Sequence, residues 1–550
     1  MQTEVSTTTA PPRRVRVRAG SSRASASVVG GVRQSYSGAS QVNGNIALWR
    51  PPLKSADADI INDAGKVRAR ARDLERNHPY AQQAVRASRI GVIGKRLRYS
   101  CRPDHRFLGL DPEVAMRWGQ EFERVWESYA HSSEFHVDAG QRMNFTQLMA
   151  LHHDRDFTDG ESLAGVEWDP RRKWRTCFQA IDVDRLSNPN GMPETAYLKG
   201  GVALDDLSAP LGYHIRDGHP GDFALLGSRH MTWTFVRRRT DWGRPVTLHS
   251  FENLRPGQTR GMSSFASVIA AMKMGQEYTE TALQQAILQA SYAAVLTSQQ
   301  NYKDALDVIA GMPADEAPSI IDLAEENLAA ALEHHEKIKL RFAGAQIPVL
   351  WPGEDLKLVQ PGNGAAAIGE FQGHSTKSYA AGTGTDPITV SQDYSDVNYS
   401  SAKMAAASSY RVYEMRRERL IGTHALPMVA CFLEEAVFRG GLKLPKGISP
   451  LDFYDVREAL IRGLFLTQGA PMLDPVKERQ GQQLGIALGV ETQQDIAAED
   501  GRDYLDIMDQ QARELFERQQ RGLVPMQAPA PAAPAKAPDD HSNDKPAKEQ

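Results

Sequence analysis

The chain has 550 residues, of which 41% are hydrophobic and 24% charged, so it can bury several cores and is long enough for about three or four domains. Its formal net charge of -4 argues against tight static binding of nucleic acid, because such binding needs a basic surface that releases counterions. Cys101, Cys177 and Cys431 are too few for a disulfide framework and lack zinc-ligand spacing, so we expect buried free thiols.

Both ends of the chain have compositions that are typical of disorder. Residues 1–41 are rich in Ser, Thr, Ala and Gly and carry several arginines against the single acid Glu4. We interpret them as a disordered basic arm that either contacts DNA or an acidic partner or is simply solvated. Residues 523–550 combine Pro and Ala with a few charges, as in a linker. We find no apolar run of about 18 residues and expect neither a membrane span nor a secretory signal.

The first part of the body predicts helices followed by strands. Between Asp57 and Ser100 apolar residues recur at near-helical spacing around the break Asn77-His78-Pro79, which predicts two helices joined by a turn. Gly91 to Lys95 lacks the spacing of a phosphate loop. From Phe145 to Leu254 shorter runs broken by Gly, Pro and Asn predict mostly β structure. The predicted strands are 162–168, 176–183 and 232–236.

The middle of the chain predicts long helices and a loop. Ser263 to Ser298 carries an apolar stripe, eight alanines and few charges, which predicts a helix of roughly 50 Å buried on more than one side. Residues 317–340 predict another helix, and 347–354 predict short strands and turns. A helix near 366–380 then leads to Gly382 to Pro387, which we interpret as a mobile loop, because its lone GxG follows no strand.

The most distinctive segment, Asp393 to Ala402, joins a turn rich in Asp, Asn and Ser to a helix that lacks Gly and Pro until Gly422. Helix resumes at Leu426 to Phe438, where Pro427 is tolerated in the first turn. Three more helices each begin at an Asp or Thr that can cap exposed amides. They are Asp474–Leu488, Thr492–Glu499 and Asp503–Arg521.

No constellation of residues indicates catalysis or metal binding. The clusters His152 to Asp156 and His334 to Glu336 hold adjacent histidines that point apart, so we interpret both as solvated polar surface. The consecutive acids Asp205-Asp206 and Glu434-Glu435 diverge in the same way. No Gly-x-Ser-x-Gly elbow occurs. We therefore predict no catalytic residue, no cofactor, no metal ligand and no enzymatic activity.

Five motifs in order along the chain together resemble the lambda-like family of tailed-bacteriophage portal proteins. They are Trp49-Arg50-Pro51-Pro52, the Arg-rich run Arg68 to Asn77, His249-Ser250-Phe251 with Arg255 to Gly261, Asp393-Tyr394 with Asn398 to Ser401, and Asp474 to Glu478. The motif residues to which the resemblance assigns structural roles are Arg255, Gln258, Arg260, Asn398, Tyr399, Ser400, Asp474, Lys477 and Glu478.

The resemblance implies an α+β portal fold assembled as a ring of about a dozen identical subunits, whose closure needs a heterologous interface. Its subdomains would be a mixed α/β wing, long stem helices, a clip, a tunnel loop and a helical crown. The implied divisions are 1–41 arm, 42–262 wing, 263–298 stem helix, 299–365 clip, 366–382 second stem helix, 383–395 tunnel loop, 396–470 wing helices, 471–522 crown and 523–550 tail.

The resemblance also implies a function. The ring would sit at one capsid vertex and pass double-stranded DNA during packaging and ejection. Its partners would be copies of itself, the terminase large subunit, the major capsid protein and scaffold, and head-completion or tail connector proteins. It would assemble in the host cytoplasm and reside in the virion. Another ring-forming head-tail connector or scaffold protein stays an alternative, and a DNA-processing enzyme is a more remote one.

A weakly charged lining suits a channel through which DNA slides, since many phosphate contacts would hold the DNA in place. We hypothesise that Lys377, Thr383, Thr385 and Asp386 line the narrowest part, because they lie between two predicted helices.

Overall fold

The computed structural model describes residues 45–46, 48–222, 231–292, 329, 333, 340–342, 345–347, 364–395, 397–469 and 474–523. The chain divides into two units, residues 1–54 and 55–550. In the first unit, the Trp49 amide donates to the Ile46 carbonyl at 3.0 Å. The predicted basic arm, most of the predicted clip, the His334 cluster and the tail after residue 523 lie outside the described residues.

The second unit mixes helices with small sheets, which confirms the α+β class. Its helices are α1 (Ala56–Asn77), α2 (Pro79–Val92), α3 (His105–Leu108), α4 (Pro112–Ala130), α5 (Phe145–Thr158), α6 (Ile269–Tyr292), α7 (Gly364–Thr383), α8 (Pro387–Ser391), α9 (Tyr399–Leu420), α10 (Leu426–Phe438), α11 (Phe453–Leu460), α12 (Pro475–Leu488), α13 (Gln493–Glu499) and α14 (Tyr504–Gln520). Its strands are β1 (Arg98–Cys101), β2 (Glu161–Trp168), β3 (Thr176–Ile181), β4 (Leu198–Lys199), β5 (Val202–Leu204), β6 (Pro210–Arg216), β7 (Trp233–Arg237), β8 (Thr247–Phe251), β9 (Leu340–Phe342), β10 (Ala345–Ile347) and β11 (Gly463–Leu466).

The pairs that these strands form are antiparallel. One sheet has the order β3-β2-β8 and another the order β4-β5-β6-β7. Among the described residues of the predicted clip, strand β9 pairs antiparallel with β10. Strand β1 pairs with β11, with Arg98 opposite Leu466, and so ties the beginning of the body to a segment far along the chain. The strands predicted at 162–168, 176–183 and 232–236 are confirmed to within two residues.

The main core forms where α4 packs against α10. Aromatic side chains of α4 recur on one helical face, and Trp126, Tyr129 and Phe122 are fully buried. The Tyr129 and Phe432 rings stack with centroids 4.1 Å apart, and the Tyr129 hydroxyl donates to the Thr176 carbonyl at 2.9 Å. A second apolar cluster joins α1 and α2 to the beginning of α6 and the end of α7. The three cysteines are free and buried, as expected.

Several helix boundaries agree with the sequence. The break at Asn77 to Pro79 separates α1 from α2, and the two share one cap residue, His78. The three C-terminal helices begin after Asp474, Thr492 and Asp503, and each of these side chains accepts a backbone N–H of the following first turn. The helix predicted near 366–382 is α7, Gly364–Thr383.

The prediction of β structure from residue 145 is wrong for its first fourteen residues, which form α5. Asn144 and Gln147 make a capping box that begins this helix. Its buried residues lie on most of its circumference, so no polar face indicated a helix. The prediction of solvated surface at His152 to Asp156 is also wrong. The histidines and both aspartates are buried, and Asp154 and Asp156 pair with Arg89 and Arg419.

Three other predictions need correction. The stem helix predicted from Ser263 begins at Ile269, because residues 264–268 form turns, and residues 293–298 lie outside the described part of the chain. The tunnel loop predicted at 383–395 contains the short helix α8, Pro387–Ser391, which Asp386 caps through the Ile388 and Thr389 amides. The predicted helical region 396–470 also includes strand β11.

Helices α9 and α10 are continuous through the π-helical turn Ile421–Ala425. Among the described residues this stretch, Ser400–Phe438, is long and apolar enough to cross a membrane, although the sequence predicts no membrane span. Its apolar window is 61% buried inside the fold, and α10 lies at the centre of the main core. The apolar composition is therefore accounted for by core packing.

Candidate channel segment and motif cluster

Helices α6 and α7 pack against each other near the beginning of α6 and the end of α7. The Tyr379 hydroxyl donates to the Ala271 carbonyl at 3.1 Å, and the rings of Tyr278 and Phe371 lie 4.5 Å apart. A Cβ at Gly382 would lie 2.3 Å from a Val268 methyl carbon. Glycine is therefore needed where α7 ends against the residues that precede α6.

The segment after α7 is held by hydrogen bonds within the subunit. The Thr383 hydroxyl donates to the Tyr379 carbonyl at 2.8 Å and shares a hydrogen bond of 2.9 Å with the Thr385 hydroxyl. Arg416 of α9 donates to the Thr383 carbonyl at 2.7 Å and to the Ser88 hydroxyl at 3.1 Å. A cation is favourable at the carboxyl end of a helix, so Arg416 stabilises the end of α7.

The four predicted channel residues therefore divide into two groups. Thr383, Thr385 and Asp386 are buried and bonded within the subunit, and they give the segment its shape. Lys377 is exposed on α7. Contact with DNA concerns the assembled protein and stays a prediction for this set.

The motif Arg255 to Gly261 fastens the chain before α6 to α1 and β2. Gln258 accepts from the Leu254 amide at 2.9 Å and donates to the Glu252 and Arg260 carbonyls at 2.9 and 2.8 Å, so its side chain holds the loop together. Arg255 pairs with Asp59 of α1 at 2.7 Å, and both side chains are about half exposed. Of the three motif residues, Gln258 and Arg260 are buried.

Glu161 at the beginning of β2 is the centre of a buried ionic cluster. Arg260 donates through Nε to both Glu161 oxygens at 2.9 Å, Arg68 donates at 2.8 Å, and His249 lies at 3.0 Å. Burial alone would raise the pKa of Glu161, but Arg260 and His249 hold this pKa well below its usual range. Arg260 also donates to the Gly200 carbonyl at 2.6 Å. The cluster thus joins α1, both larger sheets and the chain leading to α6.

A second ionic group extends this cluster toward the surface. Arg72 bonds to Asp159 at 2.7 Å, to Asp184 at 2.7 Å and to Asp182 at 3.0 Å. Asp182, Asp184 and His219 are close enough to hold a metal ion. However, His219 Nδ1 accepts from the Gly221 amide at 3.0 Å, which places the proton on Nε2, the atom that faces the carboxylates. The group is therefore better explained as an arginine-neutralised network than as a metal centre.

The later motif residues begin helices. Asn398 caps α9 by accepting the Ser401 amide at 2.9 Å, and Tyr399 and Ser400 are the first two residues of that helix. Asp474 caps α12 through the Lys477 amide at 3.2 Å. Glu478 pairs with Lys403 of α9 at 3.2 Å. These residues therefore position the two helices against one another.

A buried histidine pair lies at the π-helical turn. The rings of His152 and His424 are 4.4 Å apart, and both are buried. Burial lowers the pKa of His152 to about 4, and burial together with His152 lowers the pKa of His424 well below its usual range. Sequence reasoning missed this pair and also missed Glu161 and Arg416. Their partners lie far away in the sequence, so no local spacing could indicate them.

Comparison with known proteins identifies the family. The family described as "Phage portal protein, lambda family" has a sequence model that matches residues 43–417. The chain belongs to this family. It is 33% identical over 503 residues to the portal protein of Escherichia phage N15, which covers 91% of this chain and 92% of that protein. It is 32% identical to portal protein B of Escherichia phage lambda, with the same coverage. The suspected family resemblance is confirmed.

Three matches are more distant. The probable portal protein of Halomonas phage phiHAP-1 is 22% identical over 486 residues, which cover 86% of this chain and 85% of that protein. A chain in the virion of a native gene transfer agent particle is 13% identical, with a TM-score of 0.37 over 82% of this portal protein and 95% of that chain. A chain in the neck of the native particle, computed with C12 symmetry, has a TM-score of 0.35. The match covers 80% of this chain and 93% of that chain.

The family match includes Arg255, Gln258 and Arg260 with their whole ionic cluster, and it includes Asn398 to Ser400. Asp474, Lys477 and Glu478 lie beyond the matched residues. The family match therefore covers the Glu161 cluster and the segment between α7 and α9, and the C-terminal helices lie outside it.

Proposed function

We propose that this chain is the subunit of a closed ring at one capsid vertex, through whose central channel double-stranded DNA is packaged and later ejected. The observation that carries the proposal is membership of the lambda portal family over residues 43–417, together with 33% identity to a portal protein over 91% of the chain. In this assignment residues 42–262 and 396–470 form the wing, α6 and α7 the stem, 299–365 the clip, 383–395 the tunnel segment and 471–522 the crown.

Exposed apolar side chains on the long helices support assembly into a ring. Met274 and Leu283 on α6 are 62% and 61% exposed, and Met404 and Met415 on α9 are 76% and 72% exposed. A closed ring brings two different faces of each subunit together, so every copy covers apolar surface of its neighbour. We assign these helices to the interface between neighbouring subunits.

Of the four residues predicted to line the channel, Lys377 is the one that we propose contacts DNA. It is exposed on α7, close to the end at which Thr383, Thr385 and Asp386 fix the chain. We propose that these three residues set the position of the tunnel segment and that Lys377 is the nearest charged group available to DNA. The proposed partners are the terminase large subunit, capsid and scaffold proteins, and the tail connector. The proposed location is the virion after assembly in the host cytoplasm, with a structural and not an enzymatic role.

Negative-stain images of the purified full-length protein, viewed along the particle axis, test the ring. We expect rings with a central hole, and a uniform monomer across a range of salt concentrations would contradict the proposal. Leu283→Glu should prevent ring closure because it places a charge in the apolar interface. Gln285→Glu adds the same charge on another side of α6 and should assemble normally. Rings that form equally well with Leu283→Glu would remove α6 from the interface.

A further inference from the structure

An open cavity of about 550 Å³ between α1, α2 and α5 has a cationic lining. Its lining residues are Arg72, Glu75, Arg76, Gln82, Val85, Arg86, Arg89 and Arg155. Five of these eight are arginines, and only Glu75 is acidic. A concave surface that is lined by one sign of charge concentrates an electrostatic potential that attracts the opposite charge. We call this cavity the arginine groove and expect it to attract anions.

The carboxylates that pair with some of these arginines are more deeply buried than the arginines themselves. Asp154 pairs with Arg89. Asp159 pairs with Arg72 at 2.7 Å and with Arg155 at 3.6 Å. The Asp154 and Asp159 side chains are only 9% and 1% exposed. The side chains of Arg89 and Arg155 are 44% and 31% exposed. The anions therefore lie in the interior, and the guanidinium groups lie between them and solvent.

Two arginines of the groove keep their hydrogen-bonding capacity. Arg86 is exposed, and within the described part of the chain its side chain makes no hydrogen bond or ion pair. Arg76 pairs only with Asp73, at 3.8 Å, among the described residues, and both side chains are largely exposed. Glu75 already accepts two hydrogen bonds from Arg155, at 3.0 and 2.9 Å. Arg76 and Arg86 are therefore available to an external anion.

The size and surroundings of the groove favour a short acidic peptide over DNA. Guanidinium groups bind carboxylates through pairs of parallel hydrogen bonds. Duplex DNA carries a charge about every 1.7 Å along its axis, so tight binding needs an extended basic surface. Here the basic lining is confined to one cavity, and the exposed acid Asp73 lies beside Arg76. A few carboxylates of one peptide segment fit this arrangement better than a continuous phosphate backbone.

We propose that the arginine groove docks an acidic segment of a partner protein, whose carboxylates bind Arg76 and Arg86. Arg89 and Arg155 are already fixed by Asp154 and Glu75, so they add positive charge to the site without a further ordering cost. The basic arm predicted at residues 1–41 has the same sign of charge as the groove and is therefore not the occupant. The docking site does not depend on closure of the ring.

Fluorescence anisotropy of a labelled oligo-glutamate peptide, titrated with the full-length protein at low salt, tests the groove. We expect binding that weakens as salt is added, because salt screens exposed charges. Arg76→Gln and Arg86→Gln should each lower the association constant by up to roughly fivefold, and the double variant should lower it by roughly tenfold. Arg70→Gln is the matched control, since Arg70 is exposed on α1 but does not line the groove. It removes the same charge and should change the constant by less than about twofold.

Three results would overturn the proposal. The first is a wild type that does not bind the peptide, or a double variant that binds it as tightly as the wild type does. The second is an equal loss in Arg70→Gln, which would assign binding to net charge alone. The third is duplex DNA whose binding, measured in the same way, depends on Arg76 and Arg86 more strongly than peptide binding does. Both side chains are exposed, so the variants should fold, and thermal unfolding at the wild-type temperature confirms this.

Discussion

Removal of Arg260 is the most direct test of the buried ionic cluster. Its guanidinium reaches both oxygens of Glu161 and also the carbonyls of Leu186 and Gly200, at 3.0 and 2.6 Å. In Arg260→Ala, Glu161 would remain fully buried with only Arg68, His249 and one amide to stabilise its charge. Removal of one partner of a buried ion pair lowers the free energy of unfolding by about 3–5 kcal/mol. Because these partners remain, we expect Arg260→Ala to lower the free energy of unfolding by about 3 kcal/mol, at the lower end of this range.

Arg255→Ala is the matched control, since it removes an arginine of the same motif from an exposed pair. Arg255 and Asp59 are 49% and 45% exposed, so their ion pair should contribute about 0–1 kcal/mol. The two variants should be compared with the wild type by urea unfolding, followed by tryptophan fluorescence at neutral pH. If Arg260→Ala lowers the unfolding midpoint no more than Arg255→Ala does, the assignment of the Glu161 cluster as a stabilising centre is refuted.

Two further predictions concern the histidine pair and the end of α7. Because the folded state lowers the pKa of His152 to about 4, its contribution to stability is complete above about pH 6.5 and is lost as the pH falls. Between about pH 6.5 and about pH 4, protonation of His152 should lower the free energy of unfolding, measured by urea unfolding, by roughly 3 kcal/mol. His152→Gln should flatten this dependence on pH, and an unchanged slope would exclude His152 as its source. Gly382→Ala should cost about 1–3 kcal/mol, because its Cβ would lie 2.3 Å from Val268. Gly369→Ala on the same helix meets nothing within 4 Å and should be neutral or stabilising by up to about 1 kcal/mol in thermal unfolding, so equal losses would contradict the packing argument.

The sequence predicted helix boundaries best where caps and breakers are local. Asp474, Thr492 and Asp503 each cap the helix that follows, as their positions indicated. Capping depends on residues within one helical turn, so a short stretch of sequence contains all the information. The break at Asn77 to Pro79 was predictable for the same reason.

Helix α5 shows where local patterns fail. Its charged and histidine side chains indicated a surface, yet the fold buries His152 and Asp154 by supplying partners from distant helices. The prediction for residues 383–395 failed in the same way. Gly and Thr suggested a loop, whereas a hydrogen bond from Arg416 and the helix cap formed by Asp386 order this segment. Burial of a polar group depends on its tertiary partners, which periodicity does not show.

The sequence by itself determined the family, the mixed helix and strand composition, and most helix beginnings, because these depend on motifs and on interactions within a few residues. Only the tertiary structure decided that Arg260 neutralises Glu161 and that Thr383 and Thr385 turn inward. Arg260 and Glu161 are 99 positions apart in the sequence, so no local pattern could join them. Their charges and hydrogen bonds matter because the fold removes these groups from water.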